Sequence, residues 1–410
     1  MQTDKLPVGV GGATPQEALD KLKNMTSDVM PIGEEEYRQR LSKAQHFMQV
    51  HGIDAMYLNA GTNLTYFTGL QWYPSERMVG AVLPARGDVQ YIVPHFELGS
   101  IHDALVIDAS LALWHEHENP YQLLFHVFTK LGIEKNATIA IDESTPFFIV
   151  DGLRTVNQTF SLVNAQPVTA HCRMHKSTNE LALIQRAMDM TLEVHKAMAS
   201  ILREGITTTE VQNFINQAHK QVGATGSSFC IVLFGEATSF PHGVKTPQTL
   251  QYGDVVLIDT GCRLHGYHSD ITRTYVFGEP TDYQRGMWQH EKAAQQAAFD
   301  AAQYGATCGD VDAAARTYLQ SVGLGPEYEL PGCPHRTGHG LGLDIHEWPY
   351  LVKDNPTVLA QGMCFSNEPM LVIPGQFGIR LEDHFYMGEK GPCWFTAPSH
   401  SIDDPFGLHV

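Results

Sequence analysis

Basic residues and long apolar runs are both scarce in this chain of 410 residues. Lysine and arginine number 27 against 45 aspartates and glutamates, which gives a formal charge of -18. A negative charge of this size repels phosphate backbones and anionic lipid headgroups, so nucleic acid is not an expected partner. No apolar run could span a bilayer, and no export leader opens the chain. We therefore expect a soluble, cytoplasmic protein without a membrane partner.

Paired cysteines are missing as well. The seven cysteines are scattered and include no CxxC pair, which argues against a disulfide framework and against a thiolate zinc site. No serine stands in a GxSxG setting, so a hydrolase with a nucleophilic serine has no support. Cys262 follows an aspartate-bearing strand, and we interpret it as a packed thiol rather than a nucleophile.

The length and the 43% hydrophobic content favour two domains, and short apolar runs separated by helical stretches predict an α/β class. Residues 1–33 are expected to be a mobile or peripheral leader, residues 34–172 an amino-terminal domain and residues 173–410 a second domain. The boundary lies just before Ser177 and Glu180, whose spacing predicts a capping box at the start of a long helix. In the first domain, apolar runs predict strands at 55–58, 80–83, 89–93 and 137–141, and helical spacing predicts helices at 34–51 and 121–131.

Near residue 265 the sequence predicts a hairpin that carries Asp259 on one strand and Asp270 on the other. A two-residue turn at Leu264 and His265 would place the aspartates directly opposite, with Cβ atoms ~4.5 to 5.5 Å apart. A turn at His265 and Gly266 would make them diagonal neighbours instead. In both registers the two carboxylates share one face, where their repulsion is unfavourable unless a cation lies between them.

A second acidic pair, Glu368 and Glu382, repeats this logic on two strands joined through residues 374–376. A three-residue loop that contains glycine would bring the two carboxylates opposite each other. Four carboxylates and a histidine can hold two metal ions, and paired ions activate a water molecule for attack on a carbonyl. Between the two hairpins lies a glycine-rich stretch with three histidines: His335, His339 and His346.

These motifs resemble those of the creatinase/methionine aminopeptidase-like metallopeptidases with the pita-bread fold. They are most similar to the proline-specific branch, which contains prolidase (Xaa-Pro dipeptidase) and aminopeptidase P. The match is strongest over residues 257–276, 337–347, 366–370 and 378–383. The segment HGIDAMYLNAGTNLTYFTGL is similar to the amino-terminal domain of the same branch. The resemblance implies a creatinase-like α/β domain followed by a pita-bread catalytic domain.

Residue by residue, the resemblance implies a complete set of metal ligands. Asp259 would bind one ion, Asp270 and Glu382 would bridge, and His339 and Glu368 would bind the other. It further implies that the catalytic residues are His242, His346 and Glu368, with Glu368 as a proton shuttle. The residues expected to contact the substrate or support its site are His242, His335, His346 and Arg380.

The implied reaction is hydrolysis of the peptide bond before proline, in a small peptide with proline in second position. We favour a dipeptidase over an aminopeptidase P acting on longer peptides. Two divalent ions are expected, with Mn²⁺ first and Co²⁺, Zn²⁺ or Fe²⁺ open, and the family suggests a homodimer. The alternative from another class is a peptidase-like binding module without catalysis. One departure is SSFC, with Ser228 and Phe229, where proline-specific relatives often carry a tyrosine.

Overall fold

The protein, seen in a computed structural model that describes residues 5–133 and 135–409, divides into two compact units. The amino-terminal unit is Ile32–Arg173, and the carboxy-terminal unit contains the residues up to Pro31 and those from Met174 onward. The carboxy-terminal unit therefore includes helix α1 (Pro15–Lys21). No helix in the described residues combines the length and apolar character that crossing a membrane requires.

The amino-terminal unit is built on a mixed six-stranded sheet in the order β4-β3-β2-β1-β5-β6. Strand β2 runs antiparallel to both β1 and β3, and the remaining pairs are parallel. Every residue of β1 and β2 is buried, as expected for strands covered on both faces. The strands are β1 (Ala55–Asn59), β2 (Gly80–Pro84), β3 (Gln90–Pro94), β4 (Ser110–Trp114), β5 (Thr138–Ile141) and β6 (Ser161–Asn164).

Helices of the amino-terminal unit pack against this sheet, and α5 begins at a clear start signal in the sequence. Asn119 caps α5 by accepting hydrogen bonds from two backbone N–H groups, and Pro120 occupies the first turn. The predicted strands and helices of this unit are observed to within a residue or two. The helices are α2 (Glu34–Val50), α3 (Thr62–Thr68), α4 (Leu98–Ala104), α5 (Pro120–Lys130), α6 (Phe147–Val156) and α7 (Gln166–Arg173), with a 3-10 helix at His95–Glu97.

The carboxy-terminal unit carries four longer helices, each opened by a capping box, including the one predicted at Ser177 and Glu180. Helices α8 and α9 lie against β8 and β7, while α10 packs against α11 and against β13 to β15. This pairing of helices with sheets places the strands of the unit between two helical layers. The helices are α8 (Thr178–Ser200), α9 (Thr208–Gln221), α10 (Asp282–Ala301) and α11 (Cys308–Ser321), with a 3-10 helix at Gly235–Ser239.

The strands of the carboxy-terminal unit form a sheet of order β10-β8-β7 with β9 paired to β8, a five-stranded sheet of order β12-β11-β13-β16-β17, and the hairpin β14-β15. They are β7 (Ser227–Phe234), β8 (Val255–Leu264), β9 (Tyr267–His268), β10 (Ile271–Val276), β11 (Gly338–Gly340), β12 (Glu347–Leu351), β13 (Cys364–Asn367), β14 (Met370–Ile373), β15 (Phe377–Arg380), β16 (Asp383–Gly388) and β17 (Gly391–Trp394).

The segment before α2, which the sequence suggested as a separate leader, belongs to the carboxy-terminal unit in the structure. Its backbone N–H groups at Val8, Gly11 and Met25 donate to carbonyl groups of that unit at 2.8, 2.9 and 2.9 Å. Such long-range backbone bonds position the segment on the unit, which is why it groups there. The division after Arg173 lies one residue from the boundary proposed from the sequence.

Candidate metal centre

The first acidic hairpin is formed by β8 and the strands that follow it. His265 and Gly266 make the two-residue turn, with φ angles of 48° and 90°, as a turn of type I′ requires. Thr272 then pairs with Asp259, so Asp270 is a diagonal neighbour of Asp259 rather than its direct partner. Of the two registers open from the sequence, the structure adopts the second.

The second acidic hairpin has the register predicted from its loop. Strands β14 and β15 pair through a three-residue connection, and β13 and β16 continue the same register at Asn367 and Asp383. Glu368 and Glu382 occupy the interval between these two ladders and therefore lie opposite each other. Neither residue belongs to a regular strand, and both lie where the two acidic hairpins approach each other.

Thr272 joins the two hairpins. Its carbonyl oxygen accepts a hydrogen bond from the backbone N–H of Glu382 at 3.2 Å, and its hydroxyl donates to Glu382 Oε2 at 2.6 Å. Because Thr272 also pairs with Asp259 across the first hairpin, the same residue brings the two acidic pairs together. Local turn geometry thus fixes the register within each acidic pair, and the contact through Thr272 fixes the distance between the two pairs.

His339, on β11, supplies an imidazole to the four carboxylates. Its backbone N–H donates to Ser366 Oγ at 2.9 Å, and its Nδ1 lies 3.0 Å from the carbonyl oxygen of Gly340. We assign the ring proton to Nδ1, which leaves Nε2 directed at Glu368 Oε1, at 3.0 Å, and Asp270 Oδ2, at 3.7 Å. A backbone acceptor on the other ring nitrogen is the usual way of orienting a metal-binding histidine.

Burial and mutual repulsion act strongly on the carboxylates. Burial, with the neighbouring acids, raises the pKa of Asp270 and Glu382 well above the ordinary range. Burial also raises the pKa of Asp259, although Arg380 opposes this. Burial opposes ionisation of Glu368 too, but the contact with His339 and the nearby positive charges hold its pKa below the usual value. Full ionisation of the cluster therefore requires added positive charge.

Three carboxylates of the cluster each keep one buried oxygen without a hydrogen-bond partner among the described residues. These atoms are Asp259 Oδ1, Asp270 Oδ1 and Glu382 Oε1. Leaving buried polar atoms unpaired is costly, and native proteins rarely concentrate several of them in one place. Oxygen-rich ligands of this kind suit hard or borderline divalent cations. The residues present thus fit a centre for such ions.

Arg380 is buried beside the acids and holds Asp259 in place. Its guanidinium contacts Asp259 Oδ2 and also donates to Thr272 Oγ1 and to the carbonyl oxygen of Pro241, both at 3.2 Å. These bonds occupy the guanidinium on three sides. The guanidinium of Arg380 therefore faces Asp259, one of the predicted metal ligands.

The other predicted histidines line this cluster. The ring centroid of His346 lies 4.0 Å from that of His339, and desolvation with the adjacent imidazole lowers the pKa of His346 to about 4. His335 directs Nδ1 to the carbonyl oxygen of Arg336 at 2.7 Å, while its buried Nε2 has no partner among the described residues. Burial lowers its pKa. His242 lies in an exposed loop and is an electrostatic neighbour of both His335 and His346.

Sequence reasoning missed three buried residues of the centre. His384 follows Glu382 by two positions on a strand, and Ser366 precedes Glu368 by two, so alternation along the strand could have indicated both. Glu291 lies on α10 with both carboxylate oxygens unpaired in the described structure, and burial raises its pKa well above normal. No sequence pattern marks Glu291. The donor atoms of four side chains lie within 4.8 Å of one another: Asp270, His339, Glu382 and His384.

Strand β7 carries the departure noted in the sequence. The Phe229 ring lies over Gly261, where an added Cβ would be 2.8 Å from a ring carbon. The hydroxyl group of Ser228 is buried and has no hydrogen-bond partner among the described residues. Neither residue offers the phenolic hydroxyl of a tyrosine, so any support that tyrosine gives in relatives has to come from other groups here.

A buried group of carboxylates with imidazoles, lined by further neutral histidines, is the kind of site that metal-dependent hydrolases use. Residues 182–389 match the sequence model of metallopeptidase family M24, and residues 40–175 match that of the Creatinase/Prolidase N-terminal domain. The chain belongs to metallopeptidase family M24.

Curated relatives and solved structures agree with this assignment. The probable dipeptidase PepE of Mycobacterium tuberculosis is 34% identical over 375 residues, which cover 90% of this chain and 96% of that protein. The Xaa-Pro dipeptidase of Lactobacillus delbrueckii subsp. lactis is 32% identical, with 88% and 98% covered. The crystal structure of dipeptidase PepE from Mycobacterium ulcerans superposes with a TM-score of 0.83 at 32% identity, covering 91% of this chain and 98% of that one.

The predicted family, fold and enzyme class are confirmed. The chain has a creatinase-like amino-terminal domain and a pita-bread catalytic domain, and it is a peptidase of the prolidase and aminopeptidase P branch. The family implies divalent metal use and small peptide substrates. A non-catalytic binding module is therefore set aside.

Proposed function

We propose that this protein is an Xaa-Pro dipeptidase that works with two divalent metal ions. The observation that carries the proposal is the cluster of buried carboxylates whose unpaired oxygens lie beside His339. Relatives named dipeptidase and Xaa-Pro dipeptidase, aligned over nearly their whole length, support the choice of substrate. We favour a dipeptide substrate over the longer peptides of an aminopeptidase P.

In this proposal, Asp259 holds one ion, Asp270 and Glu382 are shared, and His339 and Glu368 hold the other. When bound, such ions lower the pKa of a shared water molecule towards neutrality and polarise the scissile carbonyl group. Ligation by four carboxylates makes Mn²⁺ the first choice, with Co²⁺, Zn²⁺ and Fe²⁺ as alternatives. No covalent intermediate with the protein is needed.

Glu368 is the proposed proton shuttle. Its lowered pKa keeps it ionised near neutral pH, so it can accept the proton of the attacking water and deliver it to the departing proline nitrogen. Ser366 donates its hydroxyl to Glu368 Oε1 at 3.0 Å, which fixes the carboxylate in one orientation. The shuttle is thus held by the same serine that positions His339.

Two of the proposed substrate contacts, His335 and His346, have lowered pKa values that keep their rings neutral at physiological pH. His335, with its Nδ1 proton donated to Arg336, offers Nε2 as an acceptor to an N–H group of the peptide. His346, with a pKa of about 4, keeps one N–H donor that can stabilise a developing oxyanion. His242 is proposed to act with them from its exposed loop. For Arg380, the bonds to Asp259 favour a supporting role over direct contact with the peptide.

The first experiment measures manganese-dependent release of proline from Ala-Pro, beside a tripeptide with proline in second position. Asp270→Ala serves as the blank, and Glu204→Ala removes an exposed carboxylate as the matched control. Cleavage of the dipeptide alone supports the proposal, and preferred cleavage of the tripeptide replaces it with an Xaa-Pro aminopeptidase. Metal binding without cleavage of either peptide would refute the proline specificity.

Two further properties belong to the same proposal. The family suggests a homodimer, which sedimentation of the purified protein tests directly. A cytoplasmic location is proposed from the composition, and fractionation of cells that produce the tagged protein tests it. Neither property is needed for the metal chemistry.

A further inference from the structure

His384 faces the same side of β16 as the proposed ligand Glu382. Side chains alternate along a strand, so positions 382 and 384 share one face while Asp383 points to the other. Asp383 does so and accepts a hydrogen bond from Arg273 Nη2 at 2.7 Å. The strand therefore directs the imidazole of His384 into the group of carboxylates.

Among the described residues, the His384 ring lacks the close hydrogen bonds that usually accompany a buried imidazole. Its side chain is fully buried, and neither Nδ1 nor Nε2 makes a hydrogen bond to the described residues. Burial lowers the pKa of His384, and the nearby backbone carbonyl group of Asp270 partly opposes this although its geometry is too poor for a regular hydrogen bond. By contrast, the equally buried His219 bonds the hydroxyls of Thr191 at 3.1 Å and Ser227 at 2.9 Å.

The unpaired nitrogen atoms of His384 lie beside the donor atoms of the candidate metal centre. One donor atom each from Asp270, His339, Glu382 and His384 lies within 4.8 Å of the others, and the rings of His339 and His384 have centroids 5.8 Å apart. We propose that His384 is a sixth protein ligand of the metal centre and binds the ion held by His339. This inference rests on the metal centre of the proposed function and not on its peptide specificity.

The added imidazole makes the two metal positions chemically different. The position with His339 and His384 has two nitrogen donors, whereas the position of Asp259 is surrounded by carboxylate oxygens. Imidazole favours Zn²⁺, Fe²⁺ and Co²⁺ relative to the harder ions that carboxylates suit. We therefore expect the nitrogen-rich position to retain such an ion when the other position exchanges to Mn²⁺.

The test compares metal binding by the full-length protein with binding by His384→Asn and His384→Ala. Competition titration against a chelator with Mn²⁺ or Co²⁺ should give two ions for the wild type. In the variants, one ion should bind as before and the other at least tenfold more weakly. His219→Asn is the matched control, since it also replaces a fully buried histidine, and its two affinities should match those of the wild type.

Nitrogen couplings in pulsed EPR of the manganese-loaded wild type give a readout that needs no variant. Two inequivalent imidazole couplings are expected, and a single coupling would overturn the proposal even if the variants fail to fold. Unchanged binding of both ions by a folded His384→Asn would overturn it as well. If the wild type bound no metal, this inference and the proposed function would both fail. If metal bound without cleavage of Ala-Pro, only the proposed function would fail.

Discussion

Both units bury aspartates on or directly after a strand, but they differ in the hydrogen-bond partners that they give to the carboxyl oxygens. In the amino-terminal unit, Asp142 follows β5 and accepts hydrogen bonds from the backbone of Asn59, the amide of Asn63, and both the backbone and the hydroxyl of Ser144. Burial raises its pKa, and these bonds oppose the rise. Asp142 therefore has the partners that a structural carboxylate requires.

In the carboxy-terminal unit, Asp259, Asp270 and Glu382 each retain a buried oxygen without a partner in the described residues. Their closest charged neighbours include one another, so their pKa values rise further. A fold that can satisfy a buried carboxylate in one unit leaves several unsatisfied in the other. Unsatisfied buried charge, rather than burial itself, is thus what distinguishes the candidate site.

The sharpest test of this contrast is Asp270→Asn. We expect kcat/KM for Ala-Pro to fall by about a thousandfold or more, equivalent to ~4 kcal/mol, because the proposed shared metal ligand is lost. The metal-free variant should be no less stable than the wild type, since the change removes repulsion between carboxylates. Initial rates with Mn²⁺ and urea denaturation with a chelator measure the two effects. A loss of metal-free stability above ~1 kcal/mol would contradict the contrast.

The converse change is Asp142→Ala, which should destabilise the protein by ~3 kcal/mol. The reason is that the buried donors of Asn59 and Asn63 lose their acceptor. The folded variant should keep the wild-type kcat/KM at saturating Mn²⁺. Urea denaturation beside Asp151→Ala, an exposed acid of the same unit, provides the comparison. If activity fell as much as stability, Asp142 would not be a purely structural carboxylate.

A smaller effect is expected for Ser366→Ala. Its hydroxyl accepts from the backbone of His339 and donates to Glu368, so its loss should weaken metal binding about tenfold. Ser366→Thr keeps the hydroxyl and should recover most of the affinity. Chelator competition measures both variants. Equal affinities for Ser366→Ala and the wild type would show that β13 alone positions these ligands.

The smallest effect is the pH dependence of the metal-free protein. Asp270 and Glu382 have raised pKa values when folded, so they keep protons that the unfolded chain releases above pH ~4. Stability should therefore fall as the pH rises from ~4 towards the folded values, by at most ~1.4 kcal/mol per pH unit for each proton. Urea denaturation across that range should show a shallower fall for Asp270→Asn. If the free energy of unfolding fell equally steeply with pH in the variant and the wild type, Asp270 would not contribute to the pH dependence.

The two hairpins show how far sequence reasoning reached. The loop at residues 374–376 fixed one register for Glu368 and Glu382, and that register is observed. For Asp259 and Asp270, two turns remained open. The structure selects the turn in which His265 and Gly266 take left-handed φ angles, which spares Leu264 a conformation that branched side chains avoid.

His384 and Thr272 mark where sequence reasoning stopped. The alternation of side chains could have predicted that His384 lies on the same face as Glu382. It could not have predicted the distance from that face to His339. The contact between Thr272 and Glu382 joins strands more than a hundred residues apart in the chain. Spatial distances between such remote residues depend on how the sheets pack, and no local sequence pattern predicts them.

The sequence by itself determined the family, through motifs that resemble those of its members, and it placed two pairs of carboxylates on predicted hairpins. The hairpins could be predicted because turn residues and strand periodicity act over a few positions. Tertiary structure alone decided how the hairpins meet, which nitrogen of His339 faces the acids and which buried oxygens lack partners. Those properties depend on desolvation and on distances between remote segments, which are fixed only when the whole unit packs.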